Sequence, residues 1–275
     1  MRKLLYILAS AAVAAGGCSD KKEIPAGEGC GSIRIACEAD ATIDATAAMA
    51  PQTTTRAAAK PAGTDFALRI KGETVDRTWA TVAAYEAEET AHNFPKGRYT
   101  VTVTYGDPEA EGVDKPYYAG STQIEVTARR TSTARITATI AKAQVLVRAT
   151  EAFRKYYNNA EFTVTTGAGN TFTFRPCEAA EAEAIWVQAG KSLTVKGTAR
   201  GQSQNGTSEG PRYTFTPEPL EAARAATHHI FTLDAGNAGS ATLSITLGEG
   251  YTETRDLDVE LNDGAIDSAN KNNAI

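Results

Sequence analysis

Residues 98–105 read RYTVTVTY, and no other stretch restricts so firmly what this chain can become. Tyr99, Val101, Val103 and Tyr105 fall on one side of an extended backbone, and Thr100, Thr102 and Thr104 fall on the other. Period-two alternation of β-branched and aromatic residues describes a strand with one buried and one wet face. Pro95-Lys96-Gly97 just before it is a turn, with Gly97 free to take positive φ. The same alternation recurs in Ile33 and Ile35, in Phe66, Leu68 and Ile70, and across residues 123–127 and 134–140. It restarts with Val145 and Val147, then Phe162 and Val164, Phe172 and Phe174, Leu193 and Val195. Leu243, Ile245 and Leu247, then Leu257, Val259 and Leu261, complete it. Short strands at roughly eight- to twelve-residue spacing predict an all-β fold of sandwich type. A chain of 275 residues, 42% of them hydrophobic, has room for two such domains. We therefore expect tandem antiparallel β-sandwiches, Ig-like or transthyretin-like, over residues 31–140 and 141–262. One helix is predicted, at residues 217–226 (PEPLEAARAA), opened by Thr216 and a proline suited to a first turn. Residues 38–64, rich in Ala, Thr and Pro, are expected to form a mobile loop, and residues 263–275 a polar tail.

The N-terminus carries an address. Met1-Arg2-Lys3 supplies positive charge, residues 4–13 (LLYILASAAV) a short apolar run, and Ala14-Ala15-Gly16-Gly17 small residues before Cys18. That order is a secretory signal peptide over residues 1–17, too short to span a bilayer stably. A cysteine directly after small residues resembles the bacterial lipobox, with Ala15 where the commonest version has leucine. The resemblance implies lipidation of Cys18 by palmitate-like acyl chains, with residues 18–30 as a flexible linker. Ser19-Asp20-Lys21-Lys22-Glu23 resembles, in part, a surface-export signal of Bacteroidetes lipoproteins. The expected location is the bacterial outer membrane, on the cell surface, with the membrane as partner through the acyl chains. The net charge of −5 is mild and the Lys and Arg residues are scattered, so no nucleic-acid partner is expected.

Phe94-Pro95-Lys96-Gly97-Arg98-Tyr99-Thr100-Val101, Lys115-Pro116-Tyr117-Tyr118-Ala119-Gly120 and Ala143-Gln144-Val145-Leu146-Val147 resemble, in that order, a family of Bacteroidetes lipoproteins. That family is domain-of-unknown-function family 4493, fimbrillin-like and adhesin-like in style. The resemblance implies a non-enzymatic surface protein that presents its domains for adhesion or ligand binding. Its partner would be a host glycan or protein, or a neighbouring envelope subunit. Thr53-Thr54-Thr55-Arg56-Ala57 adds an alternative. In fimbrillin-like pilins a protease cuts after an arginine in such a loop and releases the first strand. Here Ile33 and Ile35 would lie on the released strand, Arg56 would be the maturation site, and residues 257–261 a donor strand. Asp267-Ser268-Ala269 resembles an O-glycosylation signal, with Ser268 as acceptor.

No HExxH or phosphate-cradling glycine loop occurs, so neither an enzyme nor a cofactor is expected, and a glycan-active enzyme ranks third. His228 and His229 are adjacent in an expected strand, so their rings face opposite ways and cannot share one metal. His92 stands apart near a turn. Asp107-Pro108-Glu109-Ala110-Glu111-Gly112 imitates the opening of a calcium loop, but Tyr118 occupies the twelfth position, where a bidentate acid belongs. A solvated acidic hairpin is the plainer reading. If residues 31–36 are extended, Cys30 and Cys37 lie about 23 Å apart, too far for a disulfide. One of them, with Cys37 the first choice, can pair with Cys177, or all three stay reduced. Tyr117, Tyr118, Tyr156 and Tyr157 form either a sugar platform or core and rim.

Overall fold

The structure is a computed structural model describing residues 29–43, 60–178, 182–202, 210–216, 219–235, 242–247, 251–256 and 258–261. The N-terminal unit contains β1 (Cys30–Asp40), β2 (Ala67–Lys71), β3 (Asp76–Trp79), β4 (Asn93–Pro95), β5 (Gly97–Tyr105), β6 (Tyr118–Val126) and β7 (Thr131–Ile140). They form one sheet in the order β3-β2-β5-β6-β7-β1-β4. The link between β6 and β7 is slender, with only Tyr118↔Ile140 and Ala119↔Thr139 paired. The sheet folds over at that seam. Leu68, Ile70, Tyr99, Val101 and Val103 from one arm then share a single core with Ile33, Ile35, Ile136 and Ile140 from the other. The alternation of residues 98–105 is realised as expected, with Tyr99, Val101 and Val103 buried.

The C-terminal unit contains β8 (Lys142–Ala149), β9 (Tyr157–Thr166), β10 (Thr171–Phe174), β11 (Ile185–Gln188), β12 (Leu193–Gly201), β13 (Arg212–Thr216), β14 (His228–Asp234), β15 (Thr242–Leu247), β16 (Tyr251–Asp256) and β17 (Asp258–Leu261). Its two sheets, β10-β9-β12-β13-β17 and β11-β8-β14-β15-β16, enclose a second core that includes Val145, Phe162, Val164, Leu193, Phe215 and Phe231. Strands β8 to β14 repeat the connectivity of β1 to β7. In each unit the first strand pairs antiparallel with the short fourth strand and parallel with the seventh. The second strand pairs with the third and fifth, and the fifth with the sixth. The all-β expectation therefore holds, with one amendment to its antiparallel form: β1–β7 and β8–β14 run parallel.

The helix predicted at residues 217–226 is not formed over its described part, residues 219–226. Leu220 exchanges two 2.8 Å backbone hydrogen bonds with Leu193, Ala223 N–H donates to Lys191 O, and Ala226 N–H donates to Lys142 O. Leu220 and Ala223 are both sunk in the core. Backbone groups claimed by neighbouring strands are lost to an i→i−4 ladder, and tertiary partners override propensity here. Among the described residues two six-residue α-helices appear instead, α1 (Val82–Ala87) and α2 (Glu151–Tyr156). Thr81 and Thr150 cap them, each hydroxyl accepting from the N–H three residues on. Under two turns, neither is long enough to show a 3.6-residue period.

The two units are clamped together by the loop between β5 and β6, which the sequence presented as a calcium-loop mimic or a solvated hairpin. It is neither. Lys142, the first residue of β8, is 1% exposed, and its ammonium donates to the carbonyl oxygens of Asp107 (2.6 Å), Ala110 and Lys115 (3.1 Å). Burial pulls the Lys142 amine below the usual lysine range, and the nearby Asp107 and Glu111 carboxylates push the other way. Glu111 reaches across in the opposite sense. Its Oε2 accepts from Thr166 Oγ1 (2.6 Å) and Asn170 Nδ2 (2.9 Å), and its Oε1 from Gln188 N–H (2.8 Å). Gly112 and Trp186 exchange two 2.9 Å backbone bonds, and the Trp186 ring, 2% exposed, belongs to the N-terminal core although it sits on β11. An oxygen-rich loop that could have wrapped a cation wraps the ammonium of the neighbouring unit.

Lys142→Met should strand three carbonyls and cost roughly 2–3 kcal/mol. Scanning calorimetry should then resolve two transitions where the parent melts in one; a single unshifted transition would show that the clamp does not couple the units.

Candidate functional site

The place where β1 enters the fold decides which end of the molecule is which. Lys96 N–H donates to Gly29 O, Arg129 N–H to Cys30 O and Ser32 N–H to Arg130 O, so β1 begins among the turns at 95–97 and 127–130. The parallel register then runs from Ser32↔Thr131 to Asp40↔Thr139, nine pairs spanning about 30 Å. β7 ends at Ile140 and β8 begins at Lys142 in the clamp. The order along the molecule is thus the start of β1, the N-terminal unit, the clamp and the C-terminal unit. β9 continues the same direction in reverse. Its last residue, Thr166, is bonded to Glu111 in the clamp, and its first, Tyr157, lies at the far end beside α2.

At that far end lies a cavity of about 340 Å³, lined by Arg154 of α2, Asn158, Asn159 and Glu161 of β9, Arg175 beyond β10, and Gln202 beyond β12. A β-bulge shapes it. Thr198 pairs with Glu161 and Arg200 with Asn158, so Ala199 alone opposes both Asn159 and Ala160. Asn159 takes φ 45°, the left-handed region that asparagine tolerates better than most residues. The extra residue breaks the alternation: Tyr157 and Ala160 point inward, and Asn158 and Asn159 both point out. Two adjacent amides thereby face the same hollow. The arginines around them are held. Arg154 Nε donates to Pro176 O (3.2 Å), and Arg175 lies 3.4 Å from Glu161 and 3.7 Å from Glu178. These exposed ion pairs contribute little to stability but orient the guanidinium. The sequence carried one hint of this site, the Asn158-Asn159 doublet that interrupts an otherwise alternating strand.

A second hollow, about 540 Å³, runs beside β1 and is lined by Arg34, Cys37, Gly63, Val82, Glu86 and Arg135 among others. Ile33, Ile35 and Ala39 bury their side chains under β1, and Tyr85 of α1 donates its hydroxyl to Ile33 O (2.7 Å). A Cβ on Gly63 would stand 2.0 Å from Cys37 O, so only glycine permits this approach. Among the described residues, the other edge of β1 carries no ladder beyond the three pairs with β4.

The structure scatters the remaining residues singled out from sequence. Cys18, Arg56 and Ser268 lie outside the described residues. Cys37 and Cys177 are free thiols in different cores, so the bridge between them is not formed. Burial, with Glu38 alongside, pushes the Cys37 thiol up to about 11, and burial also raises Cys177. Tyr118 and Tyr157 are fully buried in opposite units, and Tyr156 packs against the C-terminal core, so the sugar platform of four tyrosines is not formed either. The donor segment at 258–261 is seated on the edge of β13 as β17.

The family model described as a domain of unknown function, DUF4493, matches residues 29–263. The chain belongs to this family. No curated protein matches it in sequence. Among solved structures, the fimbrial anchor protein Mfa2 from Porphyromonas gingivalis is similar at 9% identity, with a TM-score of 0.38, over 81% of this chain and 98% of that one. A candidate cell adhesion protein from Bacteroides eggerthii is similar at 9% identity and a TM-score of 0.37, over 87% of this chain and 96% of that one. No functional residue is transferred from either.

In this DUF4493 chain the two adjacent histidines are packing residues. His228 and His229 are 4% and 0% exposed on opposite faces of β14. His229 Nε2 accepts from Arg224 N–H (3.0 Å), and among the described residues His229 Nδ1 and His228 Nε2 have no hydrogen-bond partner. Burial draws both rings down to about 4, with the positive ends of His229 and Arg148 adding to the effect on His228. The folded rings stay neutral where the unfolded chain, titrating near 6.5, binds protons. Stability from this source is therefore complete above about pH 6.5 and is lost as pH falls towards 4. The loss is on the order of 3 kcal/mol for each ring. Urea melts of parent and His228→Phe at pH 7 and pH 4.5 check this: the variant should lose about half as much stability from these rings, and equal losses would refute the assignment.

Proposed function

We propose that this chain is a non-catalytic envelope protein, anchored in the outer membrane through acyl chains on Cys18 and displayed at the cell surface. Its C-terminal unit would meet the ligand or the adhesion partner. The observation that supports this is the order of parts: β1 starts at the end of the N-terminal unit away from the clamp, and the cavity lies beyond the clamp. A tether at residues 18–29 therefore leaves the far end of the C-terminal unit furthest from the bilayer. Each buried CH₂ contributes about 0.8 kcal/mol, so two or three acyl chains hold such a tether durably. A flexible spacer of that length reaches about 20 Å. Two clamped sandwiches then act as a spacer that carries a polar surface outward, and binding residues on rigid scaffolds are where such contacts sit.

Metabolic labelling with an alkyne fatty acid should mark the parent and leave Cys18→Ala unmarked. An antibody against the C-terminal unit should stain intact cells of the parent. An unlabelled parent, or staining only after permeabilisation, would refute the reading.

The seat of β1 favours a second reading, maturation by cleavage after Arg56 and assembly by strand exchange. β1 has one long partner, β7, and a three-pair partner, β4, and its removal would open an apolar slot under Ile33 and Ile35. Backbone bonds and alternating pockets would supply the affinity for a replacement strand. N-terminal sequencing of the native protein should then begin at Ala57, and trypsin-nicked protein should polymerise; an intact N-terminus on the assembled protein rules it out.

A further inference from the structure

We infer that the hollow at the far end of the C-terminal unit is a binding site for a neutral glycan. The inference rests on the proposed outward presentation of that end and names the class of ligand it would meet.

The volume, about 340 Å³, falls at the small end of the ~300–1,000 Å³ typical of small-molecule sites, enough for a mono- or disaccharide. Charge decides the chemistry. Arg154 and Arg175 are matched in the lining by Glu161 and Glu178, and Arg175 is in contact with both acids. A phosphate or sulfate site needs converging uncompensated guanidinium groups, and here Arg175 is engaged by both carboxylates while Arg154 is held by Pro176 O, leaving the lining with equal numbers of acidic and basic groups. What remains in surplus is amide chemistry. Asn158 and Asn159 each offer one carbonyl acceptor and two N–H donors, the pattern that answers a hydroxyl, which both donates and accepts. Neighbouring ring hydroxyls can be bridged by a planar amide or carboxylate in the same way.

The backbone is built for this presentation. A regular strand would turn one of the two asparagines into the core. The bulge opposite Ala199 prevents that by holding Asn159 at φ 45°, and strained backbone of this kind collects at binding sites. The walls are fixed as well: Gln202 N–H donates to Tyr156 O (2.7 Å), and its side-chain amide donates to Arg154 O (2.6 Å). These bonds tie the end of β12 to α2 across the hollow. A preorganised polar site loses little entropy on binding, which suits weak, repeated contacts to a polymer.

The test uses the full chain purified in a non-glycosidic detergent and applied to an array of neutral and anionic oligosaccharides, followed by calorimetric titration with the strongest neutral hit. Binding of at least one neutral oligosaccharide at millimolar affinity or better is expected. Asn159→Gly keeps the left-handed backbone and removes only the amide. That variant and Asn158→Ala should each weaken binding about tenfold, and Lys71→Ala, on the exposed end of β2, should leave it unchanged. No neutral hit, a preference for anionic glycans or inorganic phosphate, or affinity indifferent to both asparagine variants would overturn the inference. Surface staining without glycan binding would refute the site and leave the proposed placement standing. Glycan binding by an unacylated chain would do the reverse.

Discussion

Parallel pairing between the first and seventh strand of each unit is the constraint from which the rest of the architecture follows. In a purely antiparallel sandwich with short turns, the chain can return to the end at which it started. Here β7 runs alongside β1 in the same direction, so the chain that enters the N-terminal unit at one end leaves it at the other. β8 and β14 repeat the arrangement. Parallel pairs are slightly weaker per residue than antiparallel ones and require a long crossover. Each unit meets that requirement with its own second sheet or sheet arm, which is packed against the parallel pair and closes the core. The result is a unit that moves the chain forward, and two of them in series extend instead of doubling back.

Units that extend in series are useful as a spacer only if the joint is stiff. A joint built from apolar contact alone would slide, because the hydrophobic effect has no direction. The clamp supplies direction with two charges pointed opposite ways, the Lys142 ammonium of the C-terminal unit into carbonyls of the N-terminal loop, and the Glu111 carboxylate of that loop into donors of the C-terminal unit. The buried Lys142 ammonium and the part-buried Glu111 carboxylate are each satisfied by several neutral dipoles, an arrangement that resists both rotation and separation. Trp186, inserted into the neighbouring core, adds apolar area at the same joint.

Much of this was legible along the chain, and the failures have physical causes. Ile33 and Ile35, or Val101 and Val103, announce their strands because a two-residue period survives whatever packs on top. Residues 217–226 misled because composition describes what a segment prefers alone, whereas Leu220 and Ala223 are pinned by Leu193 and Lys191. The clamp was invisible for another reason. Its acidic loop and its lysine are some thirty residues apart, and only the fold shows that the cation answering Asp107 and Ala110 is a side chain. The far-end cavity was half visible: Asn158-Asn159 breaks the alternation, but a break alone does not say whether the extra residue loops out or forms a bulge.

The two functional readings meet in β1, and the structure sets the terms between them. β1 is the strand that would follow the proposed tether, and it is also part of the N-terminal core through Ile33, Ile35 and Ala39. A cut after Arg56 would therefore leave an acylated β1 attached to the rest of the protein only by non-covalent contacts. Burial of the two isoleucines supplies about 3–6 kcal/mol of that hold. The nine-pair ladder with β7 and the Tyr85 bond to Ile33 add to it. Strand exchange demands that this hold be surmountable, and lasting anchorage demands that it not be. The packing of Gly63 against Cys37 and of α1 over β1 sets the cost of release, because a departing strand must break these contacts as well as its ladder. On energetic grounds, then, a cut after Arg56 would leave β1 seated until an incoming strand replaced its ladder and its apolar contacts.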